Sequence, residues 1–373
     1  MNAQQLQVLQ EGEQYMKKST IQYQMDSLSS FLILIFIENS YLHFFKISRM
    51  KKINIAIITG GIVAERGISL KSAKVIYKHL NRRKYMPYLI DFDGKKFIEI
   101  SSKKKLSKVD FSFSKDGKKV EIDLAFLMLH GSPAEDGKLQ GYLEIMGIPY
   151  TGCDVFVSSL TFDKQSCKIF LKAYNIPMAD SQLIRKGEKL VMRQIEKMGF
   201  PQFVKPNKNG SSYGITKVNE KSEIKLAVEK AMQFDDEVIV EGFLKGREFS
   251  NGVFRKGDEI IVLPITEIIS KNVFFDYKAK YENESQEVTP ADLSKNDTVT
   301  CQALSKKIYL ALGSKGMVRM DYIKMGKTFY FLEANSIPGF SEQSLFPQQI
   351  VSAGMTVKEV LDAVVEERIN VVG

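Results

Sequence analysis

The sequence predicts a mixed fold, α/β in its first part and α+β in the remainder. Three observations carry this. The run INIAIIT from Ile53 ends in Gly60-Gly61 and is followed by SLKSAKVIYKHL, whose apolar residues recur at helical spacing, which is a strand, a glycine turn and a helix. YMPYLIDF at Tyr85–Phe92 and DLAFLMLH at Asp123–His130 are two more apolar runs of the kind buried on both faces of a parallel sheet. Beyond residue 240, EFSNGVF, EIIVLPITEI, GMVRMDYI and TFYFLEAN read as the strands of a mostly antiparallel unit with helices.

At roughly 150 residues per domain, 373 residues predict two or three folding units. Residues 51–152 read as an open parallel sheet, with LQGYLEIMGIPYTG supplying a short helix that runs into a further strand. Residues 153–240 read as a smaller α+β unit: an amphipathic helix DKQSCKIFLKAY, then FPQFVKP, a Gly-Ser loop, GITKV, a helix around Ser222–Phe234 and EVIVEGFL. Residues 241–373 read as a mostly antiparallel unit closed by a helix at Thr356–Glu367.

Residues 1–49 differ in character. They open Gln-rich and then carry FLILIFI at Phe31–Ile37, which Glu38 interrupts after seven residues, far short of the roughly 20 that a spanning helix needs. No membrane span is expected. Basic residues come after the apolar stretch instead of preceding it, and no small-residue cleavage pattern appears, so the segment does not read as a secretory signal. Met50 then opens MKKINIAIITGG, as a cytosolic α/β protein would begin. Residues 1–49 are therefore expected to be an extension outside the fold, from a misplaced start, with a peripheral membrane anchor as the rival reading.

Three cysteines, odd in number and widely spaced, support neither a disulfide framework nor a zinc site, and a reducing cytoplasm is the natural setting. The formal charge of +9 raises the question of nucleic acid. Between Asp91 and Val120, however, nine lysines stand against five acids with no arginine-aromatic interleaving. That is a solvated edge, and no nucleic-acid partner is expected.

Four residues near the C-terminus carry the most chemistry. Arg319 and Asp321 share one face of a strand, and Glu333 and Asn335 share one face of the next, because side chains alternate with a period of two. Oxygen-rich faces brought together suit a hard cation such as Mg²⁺; in isolation, Arg319 and Asp321 read equally well as an ion pair on a sheet surface.

KPNKNGSSYGITKV places Lys205 at a strand end before Gly210, Ser211, Ser212 and Gly214. Small residues let backbone N–H groups approach phosphate oxygens, with the lysine adding a point charge. The GxxxxGK[ST] pattern is absent, and a plain Gly-Ser turn is the alternative. In VEGFLKGREF, Glu241 and Glu248 are candidates for a base and a ribose, or are solvated strand-end glutamates. Glu65 comes after the first glycine turn and precedes a helix whose N-cap candidate is Ser69. A carboxylate there gains about 0.3–1 kcal/mol from the helix dipole, or holds a substrate ammonium. His130 lies at the carboxyl edge of the parallel sheet, where ligands of open α/β folds bind. His43 and His79 have no such setting.

Five segments in order, GGIVAERGISL, LHGSPAEDGKLQGYLEIMGIPYTG, KPNKNGSSYGITKV, DYKAKY, and VRMDYI with EANSIPGFSEQSL, make residues 51–370 resemble the D-alanine:D-alanine ligase family of the ATP-grasp superfamily. The resemblance implies an N-terminal Rossmann-like domain followed by a two-part ATP-grasp fold that clasps ATP. It implies a lid over residues 270–285. Glu65 would hold the ammonium of the first D-alanine, with Ser211 and Tyr281 completing a hydrogen-bonded set, and His130 would lie nearby. Lys164, Lys205 and Lys280 would contact ATP phosphates, while Glu241 and Leu244 would face the adenine and Glu248 the ribose.

Asp321, Glu333 and Asn335 would bind two Mg²⁺, with Mn²⁺ as a substitute. Arg319 and the Gly339 N–H would face the tetrahedral intermediate, and Ser344 with the Leu345 N–H would hold the second substrate's carboxylate. D-Alanine would serve as both substrates, ligated for peptidoglycan precursors. A sibling activity with another second substrate, such as D-serine, is the alternative. Relatives that use D-lactate carry another residue where this chain has Tyr281, which favours an amine nucleophile. Val63, Gly67 and Ala134 depart from residues usual in the family, and none has an assigned role. A homodimer is compatible with all of this.

Overall fold

The computed structural model describes residues 52–62, 65–210, 213–270 and 285–369. The expected extension over residues 1–49, and Ser211, Lys280, Tyr281 and the body of the lid, lie outside the described residues.

The first part runs β1 (Ile53–Gly60), α1 (Arg66–His79), β2 (Tyr85–Phe92), β3 (Phe97–Glu99), a small hairpin of β4 (Phe113–Lys115) and β5 (Lys118–Val120), β6 (Leu124–Leu127) and α2 (Lys138–Ile145). Its sheet has the order β3-β2-β1-β6. β1 pairs in parallel with both β2 and β6, so it is covered on both sides and its sequence is apolar almost throughout. At its carboxyl end the chain turns through Gly60 at φ +93°. A Cβ there would lie 2.1 Å from Asp91 Oδ1 and 2.7 Å from the Phe92 carbonyl, so only glycine fits. The lysines that flank β3 and those of the hairpin are mostly exposed, as a solvated edge requires.

Two local expectations need correction. α1 begins at Arg66 with Glu65 in the N-cap position, so Ser69 does not cap it; Ser69 is a buried helical residue whose hydroxyl donates to the Glu65 carbonyl at 3.2 Å. The strand expected in IPYTG is reduced to a single parallel bridge between Tyr150 and Ala125.

The second part runs α3 (Val155–Phe162), α4 (Lys164–Lys172), β7 (Ser181–Arg185), α5 (Met192–Lys197), β8 (Gln202–Pro206), β9 (Thr216–Val218), α6 (Ile224–Ala231) and β10 (Glu237–Gly242). The antiparallel sheet has the order β7-β10-β8-β9. Val204, Val238 and Val240 share a buried core with Ile195 of α5 and Ile224, Ala227 and Val228 of α6. By the two-residue period, the opposite face carries Phe203, Lys205, Ile239 and Glu241.

The third part runs β11 (Arg247–Lys256), β12 (Glu259–Ser270), β13 (Ser285–Val288), α7 (Lys295–Leu312), β14 (Val318–Met325), β15 (Thr328–Asn335), α8 (Leu345–Ser352) and α9 (Val357–Ile369). Its five strands have the order β13-β12-β11-β14-β15. α7 is delimited by local chemistry: the Ser294 hydroxyl accepts the Asp297 N–H at 3.1 Å, and Gly313 ends the helix at φ +67°. α9 returns to the first part, where Asp362 accepts from Asn81 at 3.1 Å and Glu366 from Lys84 at 2.6 Å. Among the described residues, no helix is long and apolar enough to cross a membrane.

Candidate active site

A cleft of about 990 Å³ lies among the three sheets, and every one of the fourteen candidate residues within the described chain lines it. They come from three directions.

From the central sheet, β8 and β10 pair Phe203 with Glu241 and Lys205 with Ile239, which puts Lys205 and Glu241 diagonally on the cleft face. Glu241 is 4% exposed, yet it is neither solvated nor alone. One carboxylate oxygen accepts from Lys205 at 2.6 Å and the other from Lys168 of α4. Burial opposes the Glu241 charge, but the two ammonium groups hold its carboxyl well below the usual carboxylate range. Burial pushes the Lys168 amine down despite Glu241, whereas at Lys205 the same burial is overcome by the attraction of Glu241 and its pKa is raised. Glu333 also favours the Lys205 charge, whereas Lys168 is repelled by Lys205. Lys205 lines the cleft, where its ammonium can meet an anionic ligand.

Sequence alone does not single out Lys168. The available signal is its spacing of four from Lys164, which puts both on one face of α4. Lys164 is fixed at the start of that helix, where Asp163 accepts the Ser166 N–H at 2.8 Å and an Asn207 amide hydrogen at 2.9 Å. Its ammonium donates to the Asn209 carbonyl at 2.6 Å and so tethers the entry to the Gly-Ser loop. Leu244 and Glu248 also line the cleft.

From the large sheet, the register places Asp321 opposite both Ser250 and Glu333, and Arg319 opposite both Gly252 and Asn335. Residues directly opposite share a face, so Glu248, Ser250, Arg319, Asp321, Glu333 and Asn335 all face the cleft. Arg319 clasps Asp321 through two hydrogen bonds of 3.0 and 2.8 Å, and Ser250 and Asn335 donate to the same carboxylate at 2.6 and 3.1 Å. The ion pair read as an alternative is therefore present, and it lies inside the cleft. Glu333 stands beside it, a second carboxylate directly opposite the first.

Like charges so placed repel unless a cation bridges them. Two carboxylates and an amide are hard oxygen donors, which fits Mg²⁺. Among the described residues no three His, Cys, Asp or Glu side chains group together as a metal cluster, so the candidate set depends on Asn335 as its third member.

From the parallel sheet, Glu65 enters above α1. A Cβ on Gly210 would meet Glu65 Oε1 at 2.7 Å, so glycine lets the Gly-Ser loop approach this carboxylate without displacing it. His130 is buried; its Nδ1 lies 3.0 Å from the Ile337 carbonyl, which can only accept, so Nδ1 carries the hydrogen. Its Nε2 lies 3.4 Å from the Ser72 hydroxyl, and that oxygen accepts the Phe340 N–H at 3.0 Å. His130 thus ties the end of the parallel sheet to the loop that carries Gly339. Ser69, read from sequence only as an N-cap candidate, accepts the His130 N–H at 3.0 Å, and Ser72 joins it without any sequence signal. Ser344 precedes α8 but does not cap it. Its hydroxyl accepts the Ser341 N–H at 3.0 Å and satisfies none of the first N–H groups of α8.

Comparison with known proteins gives a consistent result. Family models described as D-ala D-ala ligase N-terminus and D-ala D-ala ligase C-terminus match residues 54–153 and 170–366. The chain is 41% identical over 322 residues to the D-alanine–D-alanine ligase of Phocaeicola vulgatus, covering 85% of this chain and 99% of that protein. Among solved structures, VanG D-Ala:D-Ser ligase from Enterococcus faecalis matches with a TM-score of 0.78 at 31% identity, over 85% of this chain and 100% of that one. The D-alanine–D-alanine ligase from Bacillus anthracis complexed with ATP matches with a TM-score of 0.71 at 29% identity, over 86% and 98%.

Proposed function

Because this chain belongs to the D-alanine–D-alanine ligase family and is an ATP-dependent, ADP-forming ligase of two D-alanines for peptidoglycan precursors, we propose how its cleft divides that work. The observation that supports the division is the cross-strand set of Arg319, Asp321, Glu333 and Asn335 facing the Lys168–Glu241–Lys205 cluster across one cleft.

Lys164 and Lys205 bind the phosphates of ATP, joined by Lys280 from the lid, and Glu241, Leu244 and Glu248 receive the adenine and ribose. Lys205 is released from Glu241 as phosphate replaces the carboxylate, which Lys168 continues to neutralise. Glu65, with Ser211 and Tyr281, holds the ammonium of the first D-alanine, and His130 steadies the wall behind it. Asp321, Glu333 and Asn335 hold two Mg²⁺, which when bound neutralise phosphate charge during phosphoryl transfer.

The first D-alanine's carboxylate oxygen bonds to the γ-phosphorus as the bond to ADP breaks, giving an acyl phosphate. The second D-alanine's ammonium gives up a proton to become the free amine, which bonds to the acyl carbon; phosphate departs with the original carboxylate oxygen as the nitrogen loses its next proton to solvent or to the departing phosphate. Arg319 and the Gly339 N–H stabilise the oxyanion between these events. Ser344 and the Leu345 N–H hold the second substrate's carboxylate at the N-terminus of α8, where the helix dipole favours an anion.

In this reading the three sheets correspond to three domains, residues 51–152, 153–240 and 241–373. The first is Rossmann-like and the other two form the ATP-grasp, with the lid near 270–285 excluding water from the acyl phosphate. The setting is cytoplasmic, where ATP is available. Phosphate release that requires D-alanine and Mg²⁺, and that collapses in Glu333→Gln, tests the assignment; release that persists in that variant would overturn it. Mass analysis of products from mixed D-alanine and D-serine tests the choice of second substrate.

A further inference from the structure

We infer that Glu287 binds the ammonium group of the second D-alanine. The inference rests on the proposed function, in which Ser344 and the Leu345 N–H hold that substrate's carboxylate. An α-amino acid arrives as a zwitterion, and a charged ammonium taken into a cleft is costly unless it meets a partner. Glu65 is committed to the first substrate, and the N-terminus of α8 attracts only anions. A second carboxylate is needed beside that helix.

Glu287 meets the requirement on three independent counts. Its place in the sheet is the first: it lies opposite Ile268, which lies opposite Glu248, so it shares the cleft face of the large sheet. It lines the same cleft as Arg319, Ser344 and Leu345.

Its fixation is the second. Glu287 Oε2 accepts from Gln348 Nε2 at 2.9 Å, and Gln348 also donates to the Gln343 carbonyl at 3.0 Å. Gln348 stands in α8, four residues after Ser344, so the carboxylate is anchored beside the turn that would hold the substrate's other charge.

Its lack of compensation is the third. Among the described residues no Lys, Arg or His pairs with Glu287, and the only hydrogen bond to its side chain comes from a neutral amide. Burial pushes its carboxyl pKa up, against the opposing effects of Gln348 and the more distant Arg319. A half-buried acid with one neutral partner gains a counterion when an ammonium binds. Recognition of this kind also selects an amine over a hydroxy acid, since D-lactate offers the same carboxylate with no positive charge.

The test is steady-state kinetics of wild type, Glu287→Gln, Glu287→Asp and Ser344→Ala at saturating Mg²⁺. The Michaelis constants for ATP and for the first and second D-alanine are resolved, and D-lactate is used as an inhibitor at the second subsite. Glu287→Gln should raise the second D-alanine constant about tenfold or more, the scale of one lost charged hydrogen bond, with the other two constants changed by less than about twofold. Glu287→Asp should recover part of the loss, and it keeps the test open if the amide variant fails to fold. Inhibition by D-lactate should be unchanged in Glu287→Gln.

An unchanged second constant in Glu287→Gln, or D-lactate inhibition that weakens in step with D-alanine binding, would overturn the inference. Ser344→Ala should weaken D-alanine and D-lactate together. If it weakens neither, the reading beneath the inference fails with it; if it weakens both while Glu287→Gln does nothing, only the inference fails.

Discussion

Asp321 and Glu333 face each other directly across β14 and β15, two carboxylates at one rung of an antiparallel ladder on the cleft face of the large sheet. A β-bulge comes immediately after, between Asp321 and Tyr322, so the rung is a local feature of the sheet rather than part of a repeating pattern. Arg319 and Ser250 satisfy Asp321 in part, but the second negative charge is left for a bound cation to balance.

Glu333→Gln removes that charge without changing shape. D-Alanine-dependent phosphate release should fall by about a hundredfold or more, since even outer partners of a metal site are worth roughly 10–100-fold. The thermal midpoint of the ligand-free variant should stay level or rise, because a like-charge contact has gone. A falling midpoint would show that Glu333 serves the fold.

Arg319→Met should lower kcat by roughly 10²–10³, the usual loss for one donor to a developing oxyanion. The Michaelis constant for ATP should change little, because Arg319 contributes at the amino-acid end. A change confined to the ATP constant would place Arg319 elsewhere in the reaction.

Lys168→Met leaves Glu241 buried with a single cation, and breaking a buried ion pair on one side typically costs about 3–5 kcal/mol. ATP should then bind more weakly, because Lys205 can no longer leave Glu241 for phosphate. Adding Glu241→Gln to Lys168→Met should recover much of the stability and, because Lys205 is then freed for phosphate, part of the ATP affinity. Additive stability losses in urea unfolding would show that the two residues act separately.

The same cluster sets a pH dependence. The folded Glu241 carboxyl pKa is lowered, so its contribution to stability is present above the unfolded carboxyl value, ~4.3, and is lost as pH falls through the lowered value. The folded Lys205 pKa is raised, so its contribution is present below the ordinary lysine value and lost as pH rises through the raised one. Thermal midpoints of wild type and Glu241→Gln should therefore differ most near neutrality and converge in strong acid. A gap that widens in acid would contradict the pairing.

Gly210→Ala puts a methyl group 2.7 Å from Glu65 Oε1, the far end of a side chain that can swing away. Folding should be nearly unaffected, while the Michaelis constant for the first D-alanine rises several-fold as Glu65 is displaced. An unchanged constant would separate Glu65 from that substrate.

The parts of this molecule that are legible in the sequence are those where local pattern and tertiary role coincide. β1, β14 and β15 are apolar or alternating over eight residues each, and period alone puts Arg319 with Asp321 on one face of their strand and Glu333 with Asn335 on one face of theirs. α3 is hidden because VFVSSLTF is apolar on nearly every side and β-branched in part, so it shows no helical period. α7, the longest helix described, is hidden too, since its apolar residues are scattered among Lys, Gln and Thr and only Ser294 and Gly313 mark its ends.

Sequence puts Glu241 at a base or in solvent, and its two lysines come from a helix and a strand that no spacing links. The role of Gln348 in fixing Glu287 is likewise a contact across 61 residues. Such pairings are made by the fold, whereas single strands are made by sequence.

The most direct measurement tracks the oxygen. With D-alanine carrying heavy oxygen in its carboxylate, the account predicts that inorganic phosphate released in single-turnover reactions contains one heavy atom taken from the first substrate, with the dipeptide formed in equal amount. Phosphate that emerges unlabelled while dipeptide forms would contradict an acyl phosphate in this cleft, and with it the roles given to Arg319, Asp321 and Glu333.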